Sequence, residues 1–181
     1  MQYTRTTSPD LNRITLAEAK SQLNVLTTSQ DDYINSLIDV AEGVIMSRTN
    51  TAFQSTSYEG QTFDFSGEVL RIPVAPVTAI TFLKVKETVD DADYTTLEEG
   101  TDFVLGKSEI RFPSHKTYYE ISVGFVSGYT NITFPLGLKG ATLMMIGTLY
   151  ANRQSEMGNV VEKIPYGIEF MLNPYVHWYF E

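Results

Sequence analysis

The 181-residue chain is acidic, with 22 Asp and Glu against 13 Lys and Arg and a formal charge of −9. Its 43% hydrophobic content supports a packed core and excludes wholesale disorder, and its lack of cysteine excludes disulfides and Cys-ligated metals. The sequence has neither the clustered Lys and Arg that grip duplex DNA nor a run of roughly 20 apolar residues that could span a bilayer. We therefore expect neither specific DNA binding nor membrane insertion.

The first 53 residues predict two helices. Thr15 and Glu18 form a capping-box pattern ahead of apolar residues with the spacing of one helical face. A second helix is predicted after Ser29, because Asp31 and Asp32 then lie where the helix dipole favours negative charge. Its apolar stripe comprises Ile34, Leu37, Ile38, Ala41, Val44 and Ile45.

From about residue 54 to residue 129 the pattern changes to short extended runs. Tyr119, Ile121, Val123 and Phe125 alternate with other residues, which indicates a strand with one solvent-facing side. Residues 106–108 predict a hairpin, and residues 113–116 predict a turn between two strands. Together these runs predict a small antiparallel sheet or a sandwich.

The sequence after the extended runs predicts helices again. Pro135 suits the first turn of a third helix, which has apolar residues on nearly every side and is therefore expected to be buried centrally. Gly140 and Gly147 are expected to let another backbone approach this helix closely. Residues 155–163 predict a loop, and Pro165 opens a last short helix.

These elements predict the α+β class. The core is expected to be mainly helical, built from two N-terminal helices within residues 14–53 and from C-terminal helices within residues 135–175. The antiparallel sheet or sandwich of residues 54–129 is inserted between them. We expect one domain over residues 1–181, which ends in an aromatic tail at residues 175–181.

The sequence offers little that could support catalysis. His115 lies in the predicted turn and is expected to be a solvated loop residue, whereas a packing or contact role is favoured for His177. Neither histidine has metal-ligand spacing to another His or Cys. The serine in residues 124–128 is out of register with the G-x-S-x-G motif of hydrolases. We therefore predict no catalytic, cofactor-binding or metal-binding residues, and no enzymatic activity.

A stretch of acidic residues with no intervening basic residue runs from position 87 to position 99. Its spacing does not fit a calcium-binding loop. One interpretation is a solvated loop between strands, and the other is an electronegative rim of a channel that conducts DNA, where repulsion of phosphates prevents sticking. The residues concerned are Glu87, Asp90, Asp91, Asp93, Glu98 and Glu99.

The aromatic tail is a candidate contact surface. Its side chains either fold back onto the chain's own core or serve as anchors for a partner, because buried aromatic residues dominate the energetics of interfaces. The candidate residues are Tyr175, His177, Trp178, Tyr179 and Phe180.

Several stretches, taken in order, resemble the head–tail connector (adaptor) proteins of tailed bacteriophages. The resemblance is strongest where a leucine-rich helix ends in the sequence Tyr150-Ala-Asn-Arg153, which is similar to the aromatic-x-Asn-Arg sequence of the family. Departures are the glycines of the third helix and the aromatic ending. The similar stretches are residues 14–24, 31–42, 70–77, 123–129, 135–153 and 164–175.

The resemblance implies a structural protein of the virion neck, made in the host bacterial cytoplasm. Connectors of this family form rings, usually of twelve copies, beneath the portal protein. They extend the DNA channel, through which DNA passes without specific binding, and they provide the platform for a stopper or tail-completion protein. By similarity, the C-terminal segment reaches the portal, so deleting residues 175–181 is predicted to leave the fold intact and abolish portal attachment.

An alternative function is a carbohydrate-binding β module on a virion surface. In that case the sheet would carry exposed aromatic side chains such as Tyr118 and Tyr119 in a groove. A third candidate, a small hydrolase, has no supporting group of residues.

Overall fold

The computed structural model describes residues 2–7, 12–152 and 166–177. Within these residues it contains four α-helices and an antiparallel sheet of six strands, so the predicted α+β class is confirmed. The chain divides into two compact units. The sheet unit is built on Asn50–Thr130, and the helical unit on Asp10–Thr49 and Asn131–Val176.

The helices of the helical unit begin close to where the sequence predicts. At the start of the first helix, the Thr15 hydroxyl accepts a hydrogen bond from the Glu18 amide (3.3 Å) and the Glu18 carboxylate accepts one from the Thr15 amide (3.0 Å), which confirms the capping box. Asn24 ends that helix in the left-handed conformation (φ 54°). The elements are α1 (Leu16–Leu23), α2 (Asp31–Thr49), α3 (Leu136–Ala151), α4 (Tyr166–Leu172) and a 3-10 turn at Asn173–Tyr175.

All four helices contribute to the core of this unit. The expectation that α3 is buried on every side is wrong, since Leu136 is 83% exposed and Met144 is 41% exposed. An apolar composition shows that a helix can be buried but not how many of its sides a neighbour covers. The buried apolar residues of the helices are Ala19, Ile34, Leu37, Ile38, Ala41, Ile45, Leu138, Ala141, Met145, Ile146, Ile168 and Leu172.

Glycine allows close packing between α3 and the chain that follows it. A Cβ atom on Gly140 would lie 2.8 Å from Met171 Cε, and one on Gly137 would lie 2.8 Å from the Tyr175 hydroxyl. Both distances are too short for a real Cβ, but the atom that approaches Gly140 belongs to a side chain, so the predicted approach of another backbone is wrong there. At Gly147 an added Cβ would meet nothing within 4 Å, and there the prediction is wrong.

A buried carboxylate joins α2 to the segment that precedes α1. Glu42 is 4% exposed, and its Oε1 accepts a hydrogen bond of 2.7 Å from the Ile14 amide. Burial raises the pKa of Glu42, and the backbone hydrogen bonds from Ile14 and Arg13, together with the charge of Arg13, partly offset that rise. The carboxylate therefore satisfies backbone donors that would otherwise be buried without a partner.

The strands form one antiparallel sheet, so the pairing supports the sheet rather than the sandwich alternative. The spatial order is β1-β2-β6-β3-β4, and β5 pairs with β6. The N-terminal strand β1 was not expected from the sequence. The strands are β1 (Gln2–Arg5), β2 (Thr56–Arg71), β3 (Val77–Lys86), β4 (Thr95–Thr96), β5 (Val104–Leu105) and β6 (Glu109–Ser127).

Residues 113–116 do not form the predicted turn, because they lie inside β6. Gly67 pairs with Lys116 and Val69 pairs with Arg111, so residues 112–115 of β6 stand opposite a single residue of β2. These residues form a bulge. Pro113 is tolerated in it because a residue of a bulge need not donate an amide hydrogen bond to the neighbouring strand. The hairpin predicted at residues 106–108 is confirmed by the pairing of β5 with β6.

The predicted alternation in the last extended run is confirmed for three of its four members. Ile121, Val123 and Phe125 are fully buried, whereas Tyr119 is half-buried. The sheet unit thus has a hydrophobic core of its own. The cluster comprises Ala52, Leu70, Ile72, Val74, Val77, Leu83, Val85, Phe103, Ile110, Phe112, Tyr118, Ile121, Val123 and Phe125.

The buried carboxylate generates a prediction about pH. Because the pKa of Glu42 is raised in the folded protein, its favourable contribution to stability is full below the ordinary pKa of glutamate and is lost as the pH rises through the raised value. We expect the free energy of unfolding of the natural chain, minus that of the Glu42→Gln variant, to fall as the pH rises from below the ordinary pKa of glutamate through the raised value. Denaturant unfolding of both proteins measures the difference, in which other titrating groups cancel. A difference independent of pH would contradict the prediction.

Candidate functional site

The described part of the aromatic tail is held against the chain itself. The Tyr175 ring packs on Gly137 of α3. The main-chain carbonyl of His177 accepts a hydrogen bond of 2.9 Å from the Asn50 side chain, and burial together with the charge of Lys107 lowers the pKa of its half-buried imidazole. Trp178, Tyr179 and Phe180 lie outside the described residues. Portal docking by the tail therefore stays a prediction.

The acidic residues fall into two surface turns, one between β3 and β4 and the other between β4 and β5. Five of the six are exposed, and Asp91 is half-buried. The exposed ones are Glu87, Asp90, Asp93, Glu98 and Glu99. The structure thus places these carboxylates in two separate turns, one on each side of β4 in the chain, and this arrangement is compatible with both interpretations of the sequence.

The Asp91 carboxylate organises the first turn. One oxygen accepts hydrogen bonds from the amides of Glu87 (2.9 Å) and Thr88 (2.8 Å), and the other accepts one from the Thr88 hydroxyl (2.9 Å). These bonds to Thr88 and Glu87, helped by the charge of Lys86, lower the pKa of Asp91. Asp91 therefore has a positioning role in its own loop, in addition to its charge.

The second turn is organised in the same way by a residue that the sequence analysis did not single out. The Asp102 carboxylate accepts a hydrogen bond of 2.9 Å from the Glu98 amide, and the Asp102 amide donates one of 2.9 Å to the Glu98 carbonyl. The same spacing of four residues links Glu87 to Asp91. The donors are backbone amides, which almost every residue has, so the sequence signals these contacts only through the general preference of aspartate for capping turns.

Basic and aromatic side chains stand beside the acidic turns. Lys86 Nζ lies 4.6 Å from the centroid of the Tyr94 ring, and the Tyr94 hydroxyl donates a hydrogen bond of 2.6 Å to Glu120, which raises the pKa of the phenol. Lys84 Nζ lies 5.4 Å from the centroid of the Phe82 ring. The surface around the turns therefore carries charges of both signs.

The described residues show little that resembles a catalytic or metal site. His115 lies in the bulge, and its Nε2 is 3.1 Å from the Ser66 hydroxyl. Both side chains are exposed, so their contact is a hydrogen bond at the surface of the sheet unit. Within the part of the chain that the structure describes, we find no group of three or more potential metal ligands and no helix long and apolar enough to cross a membrane.

The aromatic groove expected of a carbohydrate-binding module is contradicted at Tyr118. This side chain is only 6% exposed, and its ring packs against Phe65 and Phe112 with centroid distances of 6.4 and 5.8 Å. Tyr119 is half-buried and lies edge-on to Phe63 at 6.3 Å. Tyr118 therefore belongs to the core of the sheet unit rather than to a binding groove.

Comparison with known proteins agrees with the resemblance seen in the sequence. Residues 13–99 match the family model of phage gp6-like head-tail connector proteins. Over these residues, which are just under half of the chain, the sequence is similar to the head–tail connector family. The role of this family is structural, as a connector in the virion. The match extends from the segment before α1 to the acidic turns, and it does not include the aromatic tail.

Solved structures resemble this chain over its whole length. The chain is 18% identical to a subunit in the neck of an empty gene transfer agent (GTA) particle computed with C6 symmetry, with a TM-score of 0.73, and the match covers 100% of this chain and 98% of that one. A subunit of the virion of a native GTA particle gives a TM-score of 0.74, and one from the neck of a native GTA particle computed with C12 symmetry gives 0.67, each at the same identity and coverage. At this identity the likeness shows a shared fold. A search of curated protein sequences found no match.

The role of Asp91 in its turn can be tested directly. In Asp91→Ala the amides of Glu87 and Thr88 lose their acceptor, so we expect faster hydrogen exchange at these two positions. Asp90→Ala, which removes an exposed carboxylate next to it, is the matched control and should leave their exchange unchanged. Because the pKa of Asp91 is lowered, the protection in the natural chain should persist below the ordinary pKa of aspartate and disappear only at more acidic pH. Equal exchange in the two variants would show that other contacts hold the turn.

Proposed function

We propose that this connector forms a ring beneath the portal protein, extends the DNA channel and provides the platform for a stopper or tail-completion protein. The observation that carries the proposal is the family match of residues 13–99. The full-length likeness to subunits of GTA necks, one of them computed with C12 symmetry, supports a ring of about twelve copies. The ring lies in the virion neck, and its subunits are made in the host bacterial cytoplasm.

The charge of the chain suits a channel through which DNA passes without specific binding. Two turns of the sheet unit expose five carboxylates, and the chain carries a formal charge of −9. Although Lys84 and Lys86 stand beside the turns, the exposed carboxylates outnumber them, and their negative charge repels phosphates and keeps DNA from sticking. In this proposal the turns at residues 87–93 and 98–99 face the channel, and Asp91 and Asp102 hold them in shape.

The connector acts by position and needs no chemistry of its own in this proposal. The exposed Ser66–His115 contact is a surface hydrogen bond, and the protein has neither an enzymatic activity nor a cofactor. The portal is contacted by the end of the aromatic tail, where Trp178, Tyr179 and Phe180 provide large apolar side chains of the kind that dominate interfaces.

Negative-stain electron microscopy of the connector mixed with the portal from the same phage tests the proposed function. We expect portals thickened by an added axial ring, whose rotational symmetry gives the copy number. Portals that stay bare at high connector concentration would remove the main support for the role. Portal alone is the control, and the purified chain tested against a glycan array examines the carbohydrate-binding alternative.

The tail is tested by removing residues 178–181 rather than 175–181. Tyr175 packs on Gly137 and the His177 carbonyl is bonded to Asn50, so the longer deletion would also remove contacts within the fold. We expect the chain that lacks residues 178–181 to unfold at the same denaturant concentration as the natural chain and to lose its attachment to the portal. Leu26→Ala, which removes an exposed apolar side chain elsewhere, should attach normally. Unchanged attachment of the truncated chain would reject docking by the tail.

A further inference from the structure

The short helix α4 has two apolar sides, and only one of them is covered. Ile168 and Leu172 point into the helical unit and are at most 1% exposed, whereas Tyr166 is 91% exposed and Phe170 is 79% exposed. Each pair has a spacing of four residues and therefore occupies one side of the helix. The aromatic pair lies on a different side from the pair that anchors α4 to its own unit.

The apolar surface formed by Tyr166 and Phe170 extends onto α3. A Cβ atom on Gly167 would lie 3.6 Å from Met144 Cε, so Met144 approaches α4 next to Tyr166. Met144 is itself 41% exposed. We refer to Tyr166, Phe170 and Met144 as the α4 patch. It joins two aromatic rings with a flexible thioether, a combination that adapts well to a partner surface.

The α4 patch carries no charge, although the chain as a whole is strongly acidic. The one acidic residue of α4 is Glu169. Its carboxylate lies 3.7 Å from the guanidinium of Arg48 on α2, in the same unit. Among the residues that the structure describes, this ion pair partly offsets the charge of the carboxylate on α4. The centres of protein interfaces are depleted of charge and enriched in aromatic residues and methionine, which is the composition of the patch.

The two exposed aromatic side chains supply part of the area that a subunit contact needs. Two aromatic side chains at these exposures present on the order of 300 Å². A stable interface takes about 800 Å² from each partner, so the pair could supply more than a third of one side. Isolated surface hydrophobic residues need no explanation, but adjacent ones of this size indicate a contact site.

We propose that the α4 patch binds a second copy of this chain. Two copies that each carry a formal charge of −9 repel one another, so they associate best through surface that is free of charge. The inference rests on the proposed ring, and it names the surface through which neighbouring subunits meet. Because a ring contact is heterologous, the patch meets a different surface of its neighbour.

Site-specific photo-crosslinking identifies what covers the patch. The photoreactive analogue p-benzoylphenylalanine replaces Phe170 in the full chain, and in a control chain it replaces Leu26, which is 95% exposed in the same unit. After assembly with portal and illumination, we expect a product with the mass of two connector chains from position 170 but not from position 26. A product with portal only, or no product in assemblies that contain the ring, would overturn the inference.

A double variant, Tyr166→Ser with Phe170→Ser, tests the energetic importance of the patch. Both side chains are exposed, so we expect normal unfolding together with a loss of ring affinity of roughly tenfold or more. Leu26→Ser is the control. Normal rings from the double variant would overturn the inference and leave the proposed function intact. If the natural chain leaves portals bare, the proposed function fails. The inference is then tested by crosslinking the chain alone at high concentration. A two-chain product from position 170 would support it, and the absence of that product would overturn it.

Discussion

The sheet unit depends on β6, which is hydrogen-bonded along both of its edges. One edge pairs with β2 over most of its length, and the other pairs with β5 near its start and with β3 near its end. A strand paired on both sides satisfies its backbone groups within the sheet and can therefore be buried. The other strands reach the core through their register with this one, so any change in β6 is transmitted to all of its partners.

The buried side of β6 changes along its length. In the second half of β6 the residues in the hydrophobic cluster have odd numbers (Ile121, Val123 and Phe125). In the first half they have even numbers (Ile110, Phe112 and Tyr118). A regular strand keeps one parity on each face, so β6 must turn over between Tyr118 and Ile121. The adjacent strand has its irregular residue at the same level, since Asp64 adopts a left-handed φ of 53° and its neighbour Phe63 pairs with Glu120. This reversal lets both halves of a long strand contribute to a single core.

Features set by nearby residues were predictable from the sequence, and features set by distant pairing were not. The capping box of α1 and the hairpin before β6 depend on residues within a few positions, and both are confirmed. Residues 113–116 have the composition of a turn, but their pairing with distant β2 makes them a bulge instead. Strand β1 lacks an apolar side, because all four of its residues are exposed, and it is defined only by its ladder with β2.

For the candidate surfaces too, some features could be predicted from the sequence and others depend on the folded structure. The acidic turns could be located from composition, yet the positioning roles of Asp91 and Asp102 depend on backbone geometry that composition does not contain. In a helix as apolar as α4, the sequence gives no means of separating the covered pair Ile168 and Leu172 from the exposed pair Tyr166 and Phe170. That distinction depends on which side α3 covers, which is a property of tertiary packing.

The two ends of the long sheet segment lie side by side. Thr56, at the start of β2, pairs directly with Ser127, at the end of β6. Partner residues of antiparallel strands have Cα atoms about 5 Å apart, so a segment of some seventy residues closes with the span of a tight turn. Sheets of other sizes, or a simple hairpin loop, could therefore replace it in related proteins without stretching the flanking chain. The distance between the two ends is therefore set by one pair of residues in neighbouring hydrogen-bonded strands and not by the length of chain between them.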